Sequence, residues 1–363
     1  MTLDSPDITD LEELVDSLSA EDKALFRRIY DVNTVIGEQR FPRTMEAWVK
    51  QQFGSLEAVA RQKIVRVTNT VTDDGTVFNR LRASRPVLAA DPHLEAILEA
   101  SRESDTFANP VENTPEDTFG RVAGKHCITA SNVAKFDGFH GLVIFNEFHP
   151  LKFSREQVID YFDVAWEWAQ RAHAMKPDAK YFFLIWNCLW RSAASINHGH
   201  AQLMLTEGRH YAKIDALREA ALGYHQAYGS NYFDDLFRLH RALGLATEKE
   251  KVRILAHLTA FKDNEVVLIA DKLDLSLKER VYEALACLRD RIGVASFNLS
   301  LVTPPLSETE ESWEGFPVLV RMVDRGNLSD RSSDIGGMSI YASSVVMTDP
   351  FELFRNLEEY LNQ

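Results

Sequence analysis

His198-Gly199-His200-Ala201-Gln202 leads into an apolar run that ends at Leu205, and this is the most informative stretch of the chain. Because successive side chains of a strand point to opposite faces, positions 198, 200 and 202 share one face. Two imidazoles and a carboxamide are costly to bury without partners. They suit a site that attacks a phosphorus atom, since a neutral imidazole is a competent nucleophile near pH 7. The small residues at 192–195 leave room for phosphate oxygens just upstream.

The bulk composition limits the function classes. The 363 residues are 45% hydrophobic and 26% charged, with a formal net charge of −14, which is typical of a globular chain with one large or two ordinary domains. This acidic balance argues against a nucleic-acid polymer as partner, because phosphate backbones attract basic surfaces. A small nucleotide needs only a local group of arginines, so it is not excluded.

The compartment is predicted from what the sequence lacks. No apolar run approaches the roughly 18 residues of a membrane span, and the acidic N-terminus has no signal-peptide pattern. Three widely spaced cysteines form no CxxC pair and indicate no disulfide framework. We therefore expect a cytoplasmic protein with neither a membrane nor a nucleic-acid partner.

A strand–helix–strand unit occurs twice along the chain. The strands and helices of the two copies are, in chain order, 140–145, 154–171 and 181–186, then 265–269, 276–290 and 297–302. The strand after the first copy carries His198 and His200, and by alignment Phe316 and Val318 take those positions after the second. We predict a duplicated α+β fold, with an antiparallel sheet and helices on one face in each half, and with one chemically active half.

The duplication divides the chain into three segments. Residues 1–60 are predicted to form an N-terminal helical segment. Residues 61–230 are predicted to form the first half with the histidine motif, beginning with a hairpin that turns at Asp73-Asp74-Gly75. Residues 231–363 form the second, degenerate half.

Asn187, a short loop that reaches Ser195, and then His198, His200 and Gln202 resemble the histidine-triad superfamily. The spacing is most similar to the branch that contains galactose-1-phosphate uridylyltransferase and the dinucleoside-tetraphosphate and nucleotide-sugar phosphorylases. That branch is built from two such halves. Other patches are similar to the same family, namely the phosphate-side motif Arg82-Ala83-Ser84-Arg85-Pro86, the nucleoside-pocket strand with Asn132, and the loop 333–338 that closes over a sugar phosphate.

The resemblance implies a two-step nucleotidyl transfer. His200 would attack the α-phosphorus of a nucleotide sugar or a dinucleoside polyphosphate, and an acceptor phosphate would then take the nucleotide from the covalent nucleotidyl-histidine. His198 would orient the strand or bond to phosphate, and Ser195 and Gln202 would donate hydrogen bonds to the phosphoryl oxygens. The remaining nucleotide- and phosphate-binding residues implied by the resemblance are Arg82, Arg85, Asn132 and Asn187.

Gln202 bears on the choice between transfer and hydrolysis. Hydrolytic triad proteins have a third histidine there, which can protonate a leaving group, whereas a carboxamide cannot. We therefore favour a nucleotidyltransferase or phosphorylase. A non-catalytic nucleotide-binding protein and a nucleotide hydrolase are the alternatives. The base, the sugar or other acceptor, and the oligomeric state are left open, a homodimer included.

Many relatives hold a structural zinc with a Cys-x-x-Cys pair, a downstream histidine and the first histidine of the motif. Alignment places Asp105 and Ala108 at the cysteine positions, while His149 and His198 remain. Zinc takes about four nitrogen or sulfur ligands, so we expect no bound zinc and no other cofactor. Hydrogen bonds would then have to orient His198. Gly199 replaces the usual proline, and we expect it to loosen the backbone.

Overall fold

The computed structural model describes residues 6–84, 94–330 and 332–363. In these residues the strands are β1 (Tyr30–Glu38), β2 (Arg61–Asn69), β3 (Gly75–Phe78), β4 (Cys127–Ser131), β5 (Phe139–Phe145), β6 (Ala179–Asn187), β7 (His200–Glu207), β8 (Ala246–Lys249), β9 (Val252–Ala256), β10 (Val266–Ala270), β11 (Phe297–Val302), β12 (Val318–Asp324) and β13 (Ser344–Val346). The helices are α1 (Leu11–Ser17), α2 (Ala20–Ile29), α3 (Arg43–Phe53), α4 (Leu56–Ala60), α5 (Leu94–Arg102), α6 (Pro110–Asn113), α7 (Arg155–Met175), α8 (Ala212–Tyr228), α9 (Tyr232–Ala242), α10 (Leu275–Ala286), α11 (Gly337–Tyr341) and α12 (Pro350–Leu361). None of these helices is long and apolar enough to cross a membrane.

A nine-stranded antiparallel sheet carries both halves of the described chain. Its order is β4-β5-β7-β6-β11-β12-β10-β9-β8, so the first half and its repeat meet where β6 pairs with β11. The strands β4-β5-β7-β6 of the first half correspond to β9-β10-β12-β11 of the second. The predicted α+β fold with two halves is confirmed, and the two halves share one continuous sheet.

The long helix α7 covers one face of this sheet. It begins at a capping box in which Ser154 and Gln157 satisfy each other's free backbone N–H groups. Its Trp168 is fully buried against Gly141 of β5, where a Cβ atom would lie 2.7 Å from the indole. Since side chains alternate along a strand, the even-numbered residues of β5 and β7 point to the opposite face, and His200 is among them.

A row of directly paired residues, one on each of four neighbouring strands, defines that opposite face across both halves; we call it a register row. Gln202 pairs with Ile185, Ile185 with Ser300, and Ser300 with Arg321. Directly paired residues of antiparallel strands point to the same side, so Arg321 shares the face of Gln202. Val318 is three residues from Arg321 and lies on the other face.

The sequence alignment of Phe316 and Val318 with the two histidines is therefore wrong. Phe316 precedes β12, and Val318 points away from the histidine face. Hydrophobic similarity matches two strands without determining which face each residue occupies, and a slip of one residue exchanges the faces.

A smaller sheet of order β1-β2-β3-β13 corrects the interpretation of the N-terminal segment. Residues 1–60 were predicted to be helical, but Tyr30–Glu38 forms β1, which pairs along its whole length with β2. The partner strand lies beyond residue 60, so the local pattern alone did not reveal it. The predicted hairpin of β2 and β3 is confirmed, and the C-terminal β13 pairs with β3 in parallel.

Candidate active site

The loop between β6 and β7 places the histidine motif at one end of the large sheet. It contains a 3-10 turn, Trp190–Ser192, flanked by Leu189 and Ala193, whose φ angles are +66° and +68°. Non-glycine residues in this region cost about 1–3 kcal/mol each, and such strain concentrates at functional sites. The loop ends at His200, the first residue of β7.

His200 is held as a neutral imidazole. Its Nδ1 lies 2.8 Å from the backbone oxygen of His198, so the Nδ1–H donates to this carbonyl and the lone pair resides on Nε2. The ring is 7% exposed and packs edge-on against Phe107, with centroids 5.2 Å apart. Burial lowers the pKa of His200 below its usual 6.5. The imidazole is therefore uncharged near pH 7.

His198 is clamped between two acceptors. Its Nδ1 lies 2.7 Å from Oδ2 of Asp105, and its Nε2 lies 2.7 Å from the backbone oxygen of Phe145. Both acceptors are satisfied only when both ring nitrogens carry protons. The side chains of His198 and Asp105 are 6% and 5% exposed, so this is a buried contact. The expectation that hydrogen bonds orient His198 is confirmed.

Asp105 also positions the Phe107 ring, which packs on His200. Its Oδ1 accepts the backbone N–H of Phe107 at 2.9 Å, and this turn places the Phe107 ring against both histidines of the motif. From the sequence, Asp105 was expected only at the position of a lost zinc ligand. The signal that was available is the Asp-x-Phe turn, but nothing local connects it to a motif more than ninety residues away.

The residues at the expected zinc position do not fit the metal. Both carboxylate oxygens of Asp105 and both ring nitrogens of His198 are used in hydrogen bonds, and Ala108 has no donor atom. Nδ1 of His149 accepts the backbone N–H of Leu151 at 3.2 Å, and its Nε2 faces Glu95. In the described ranges no group of three or more metal-binding side chains is arranged to hold an ion.

Gln202 is oriented by His140, a residue that the sequence analysis missed. Nδ1 of His140 accepts the backbone N–H of Phe136 at 2.9 Å, so its Nε2 carries the proton and donates to Oε1 of Gln202 at 3.0 Å. The NH2 group of Gln202 is then oriented as a donor for a ligand. The amide nitrogen of Asn132 lies 3.1 Å from the same Nε2, and because both atoms carry protons this contact places Asn132 beside the pair without a hydrogen bond. The structure thus brings Asn132 and Gln202 together.

Asn187 connects the motif to the second half. Its Oδ1 accepts a hydrogen bond of 2.7 Å from Asn298 of β11, which also donates to the backbone oxygen of Ser192. Oδ1 of Asn298 accepts in turn from Arg325, which makes a bidentate pair with Asp334 at 2.7 and 2.9 Å. Asn298 was not predicted, because its role depends on the pairing of β6 with β11.

Two predicted residues stand apart from this group, and a third lies outside the described part of the chain. Ser195 is exposed in the loop that leads to His198. Arg82 is exposed in the 3-10 turn Arg80–Ser84, which follows β3 of the small sheet. Arg85 lies outside the described residues, as does the neighbouring stretch up to residue 93.

Gly199 is packed tightly, contrary to the expected loosening of the backbone. A Cβ atom there would lie 2.7 Å from Cδ2 of Phe145 and 3.2 Å from the backbone oxygen of Glu147. The Gly199 N–H donates to the Phe148 oxygen, and its own oxygen accepts from Phe145, each at 3.0 Å. The glycine therefore permits a close approach between β5 and the motif.

Replacing Gly199 by alanine is expected to destabilise the protein by about 1–3 kcal/mol, because the new methyl group overpacks this contact. Chemical denaturation of the variant and the parent protein measures the difference. Gly223→Ala on α8 is the control, since its Cβ meets nothing within 4 Å. Equal midpoints for Gly199→Ala and the parent would contradict the close approach.

No protein-family model matches the sequence, and no curated protein matches it either. In three dimensions the chain is similar to an ADP-glucose phosphorylase from Arabidopsis thaliana crystallised with ADP-glucose, with 15% identity and a TM-score of 0.61 over 80% of this chain and 97% of that chain. A GalT-like protein from Arabidopsis thaliana has 15% identity and a TM-score of 0.60, with the same coverage of 80% and 97%. A uridylyltransferase has 14% identity and a TM-score of 0.55, covering 69% of this chain and 88% of its own. These likenesses show that the chain shares its fold with the ADP-glucose phosphorylase, the GalT-like protein and the uridylyltransferase.

Proposed function

We propose that the protein is a nucleotidyltransferase or nucleotide phosphorylase that works through a covalent bond between Nε2 of His200 and the α-phosphorus of its substrate. The observation that carries this proposal is the hydrogen bond from Nδ1 of His200 to the His198 oxygen, which leaves the Nε2 lone pair for attack. Similar folds in an ADP-glucose phosphorylase and a uridylyltransferase support the same chemistry.

The transfer takes place in two displacements. The lone pair of Nε2 forms an N–P bond while the bond from the α-phosphorus to its bridging oxygen breaks, and the departing phosphate keeps the electron pair. An oxygen of the acceptor phosphate then forms a bond to the α-phosphorus, and the N–P electrons return to Nε2. Both leaving groups are stable without an added proton, so the carboxamide of Gln202 needs only to donate N–H bonds to the phosphoryl oxygens.

We place the nucleoside of the substrate against a small apolar cluster beside the nucleophile. Leu142 and Ile144 pair directly with Gln202 and His200, and they pack with Phe107 and Ala130. Most small-molecule sites combine such an apolar wall with a few placed polar groups. The donor is a nucleotide sugar or a dinucleoside polyphosphate, and the acceptor is a phosphate.

We also propose that the contact between Asp105 and His198 replaces the structural zinc of related enzymes. The contact is buried and holds the backbone oxygen of His198 where it accepts the proton of His200. The reaction then requires no cofactor. Metal analysis of the purified, active protein tests this, and stoichiometric zinc whose removal abolishes activity would overturn it.

Intact-protein mass spectrometry tests the proposed function. The protein is mixed with nucleoside diphosphate sugars and dinucleoside polyphosphates, and we expect one donor class to add the mass of one nucleoside monophosphate. The acid lability of a phosphorus–nitrogen bond identifies the adduct. Nucleotide binding with no adduct from any donor and no turnover would support the non-catalytic binder, and nucleotide release without an acceptor phosphate would support a hydrolase.

As the pH is lowered from 8, the rate of adduct formation is expected to stay nearly constant down to about pH 6.5, the usual pKa of histidine. The rate is expected to fall only below that value. Burial lowers the pKa of His200, so its imidazole stays neutral at pH values where an exposed histidine is already half protonated. Below the lowered pKa the lone pair is protonated and attack stops. Single-turnover rates across pH 5–8 measure this, and a half-maximal rate at or above pH 6.5 would contradict it.

A further inference from the structure

A cavity of about 640 Å³ opens on the histidine face of the sheet, over the junction of the two halves. Its floor is formed by residues of β6, β11 and β12, and the first turns of α8 form its roof. Apolar side chains make up much of the wall, namely Phe183, Leu217, Phe261, Val302, Leu319 and Val323. The volume lies within the range of sites for small organic ligands, about 300–1,000 Å³.

The cavity belongs to the same face as His200, and its edge reaches the candidate active site at Asn298, while its inner end lies farther along the sheet. Gln202, Ile185, Ser300 and Arg321 form one register row, and Ser300 and Arg321 line the cavity. Neighbouring strands are about 4.8 Å apart, so Arg321 lies about 14 Å from Gln202. The cavity therefore extends over the second half on the sheet face that carries the histidines on the first.

A buried charge pair forms the inner end of the cavity. Nε and Nη2 of Arg321 lie 2.6 and 2.5 Å from Oε1 of Glu265, whose side chain is fully buried. The Arg321 side chain is 32% exposed, and this exposed part faces the cavity that it lines. Asp74 lines the same end. Such a pair is weak evidence for stability, because desolvation offsets the attraction.

An unpaired polar atom lies behind this pair. A side extension of about 30 Å³ is shared by Asp74, Arg321 and His257, and it is large enough for a single polar group or a water molecule. His257 is 6% exposed, and its Nδ1 has no hydrogen-bond partner among the described residues. Buried polar groups without partners are costly, so this end of the cavity is built to receive a hydrogen-bonding group.

The charges select the kind of molecule that fits. Glu265 and Asp74 surround Arg321, so the described residues of the inner end offer no spare positive charge for a phosphate. Lys213, the other cation of the lining, lies over the Phe261 ring at 5.2 Å in the first turn of the roof helix α8. The inner part therefore favours a neutral body with apolar faces and a polar edge.

We propose that this cavity is a second binding site, which takes a neutral aromatic molecule of nucleoside size. Its ring packs between Phe183 and Leu217, and its polar edge reaches Arg321 and Ser300. The nucleoside is either free or the far end of a dinucleotide whose phosphates reach His200, and the experiment distinguishes these sources.

Isothermal titration of the full-length protein with adenosine and with uridine tests the proposal. Ala216 lines the cavity from the exposed side of α8, so Ala216→Trp blocks the cavity without altering the core. Ala227→Trp is the matched control, since Ala227 is exposed on the same helix and does not line the cavity. We expect at least one nucleoside to bind the parent protein and Ala227→Trp, and to bind Ala216→Trp at least tenfold more weakly.

Adduct formation at His200 identifies the source of the nucleoside. If Ala216→Trp slows the reaction with dinucleoside polyphosphates but not with nucleotide sugars, the cavity holds the far end of the dinucleotide. If Ala216→Trp slows the reaction with neither donor class, the cavity is a separate nucleoside site. Thermal unfolding confirms that both tryptophan variants are folded. The proposal is overturned if neither nucleoside binds the parent protein at millimolar concentration, or if Ala216→Trp binds as tightly as the parent. Neither result depends on whether His200 forms an adduct.

Discussion

Replacing His200 by glycine is expected to abolish the nucleotide adduct and to lower turnover on the order of 10⁴-fold or more, as the loss of a covalent nucleophile does in other enzymes. The imidazole supplies the lone pair that attacks the α-phosphorus in the first displacement, and without it no adduct forms. Its hydrogen bond runs to the backbone of its own segment, so the fold and nucleotide binding are expected to persist. Intact-mass measurement and steady-state turnover with the best donor provide the readout.

His149→Gln is the matched control for this experiment. His149 is also buried, at 7% exposed, and lies near the motif, but its Nε2 faces the carboxylate of Glu95. The control is expected to form the adduct at nearly the parent rate. If His200→Gly keeps the adduct or the full turnover, the assignment of the nucleophile is wrong and the non-catalytic or hydrolytic alternatives gain support.

Replacing Asp105 by alanine is expected to lower the free energy of unfolding by about 1–3 kcal/mol, because it leaves a buried imidazole without its hydrogen-bond partner. His198 loses the acceptor at Nδ1, and the turn that places Phe107 loses its side-chain bond. Urea denaturation measures the loss. The adduct rate is expected to fall as well, since the His198 carbonyl that orients His200 is no longer held.

Glu95→Ala is the comparison for this variant. It removes the carboxylate that faces His149, but the Glu95 side chain is 77% exposed, and exposed pairs contribute about 0–1 kcal/mol. A loss of stability in Asp105→Ala no larger than that in Glu95→Ala would show that the buried contact does not hold the motif. Retained stability with slow adduct formation would assign Asp105 to positioning alone.

Much of the site was predictable because it is local. Alternation along β7 places His200 and Gln202 on one face, and the two strand–helix–strand units repeat a hydrophobic pattern within each segment. The partners of these residues were not predictable. Asp105 and His140 reach the motif from segments more than sixty residues away, and their own surroundings in the sequence have no feature that points to it.

The sequence by itself determined the chemistry that is available and the order of strands and helices in each half, because both follow from side-chain identity and short-range periodicity. Only the tertiary structure decided how these parts act together. The pairing of β6 with β11 connects Asn187 to Asn298 and places Arg321 on the histidine face. Register between distant strands depends on packing over the whole sheet, and a shift of one residue would have turned these side chains to the opposite face.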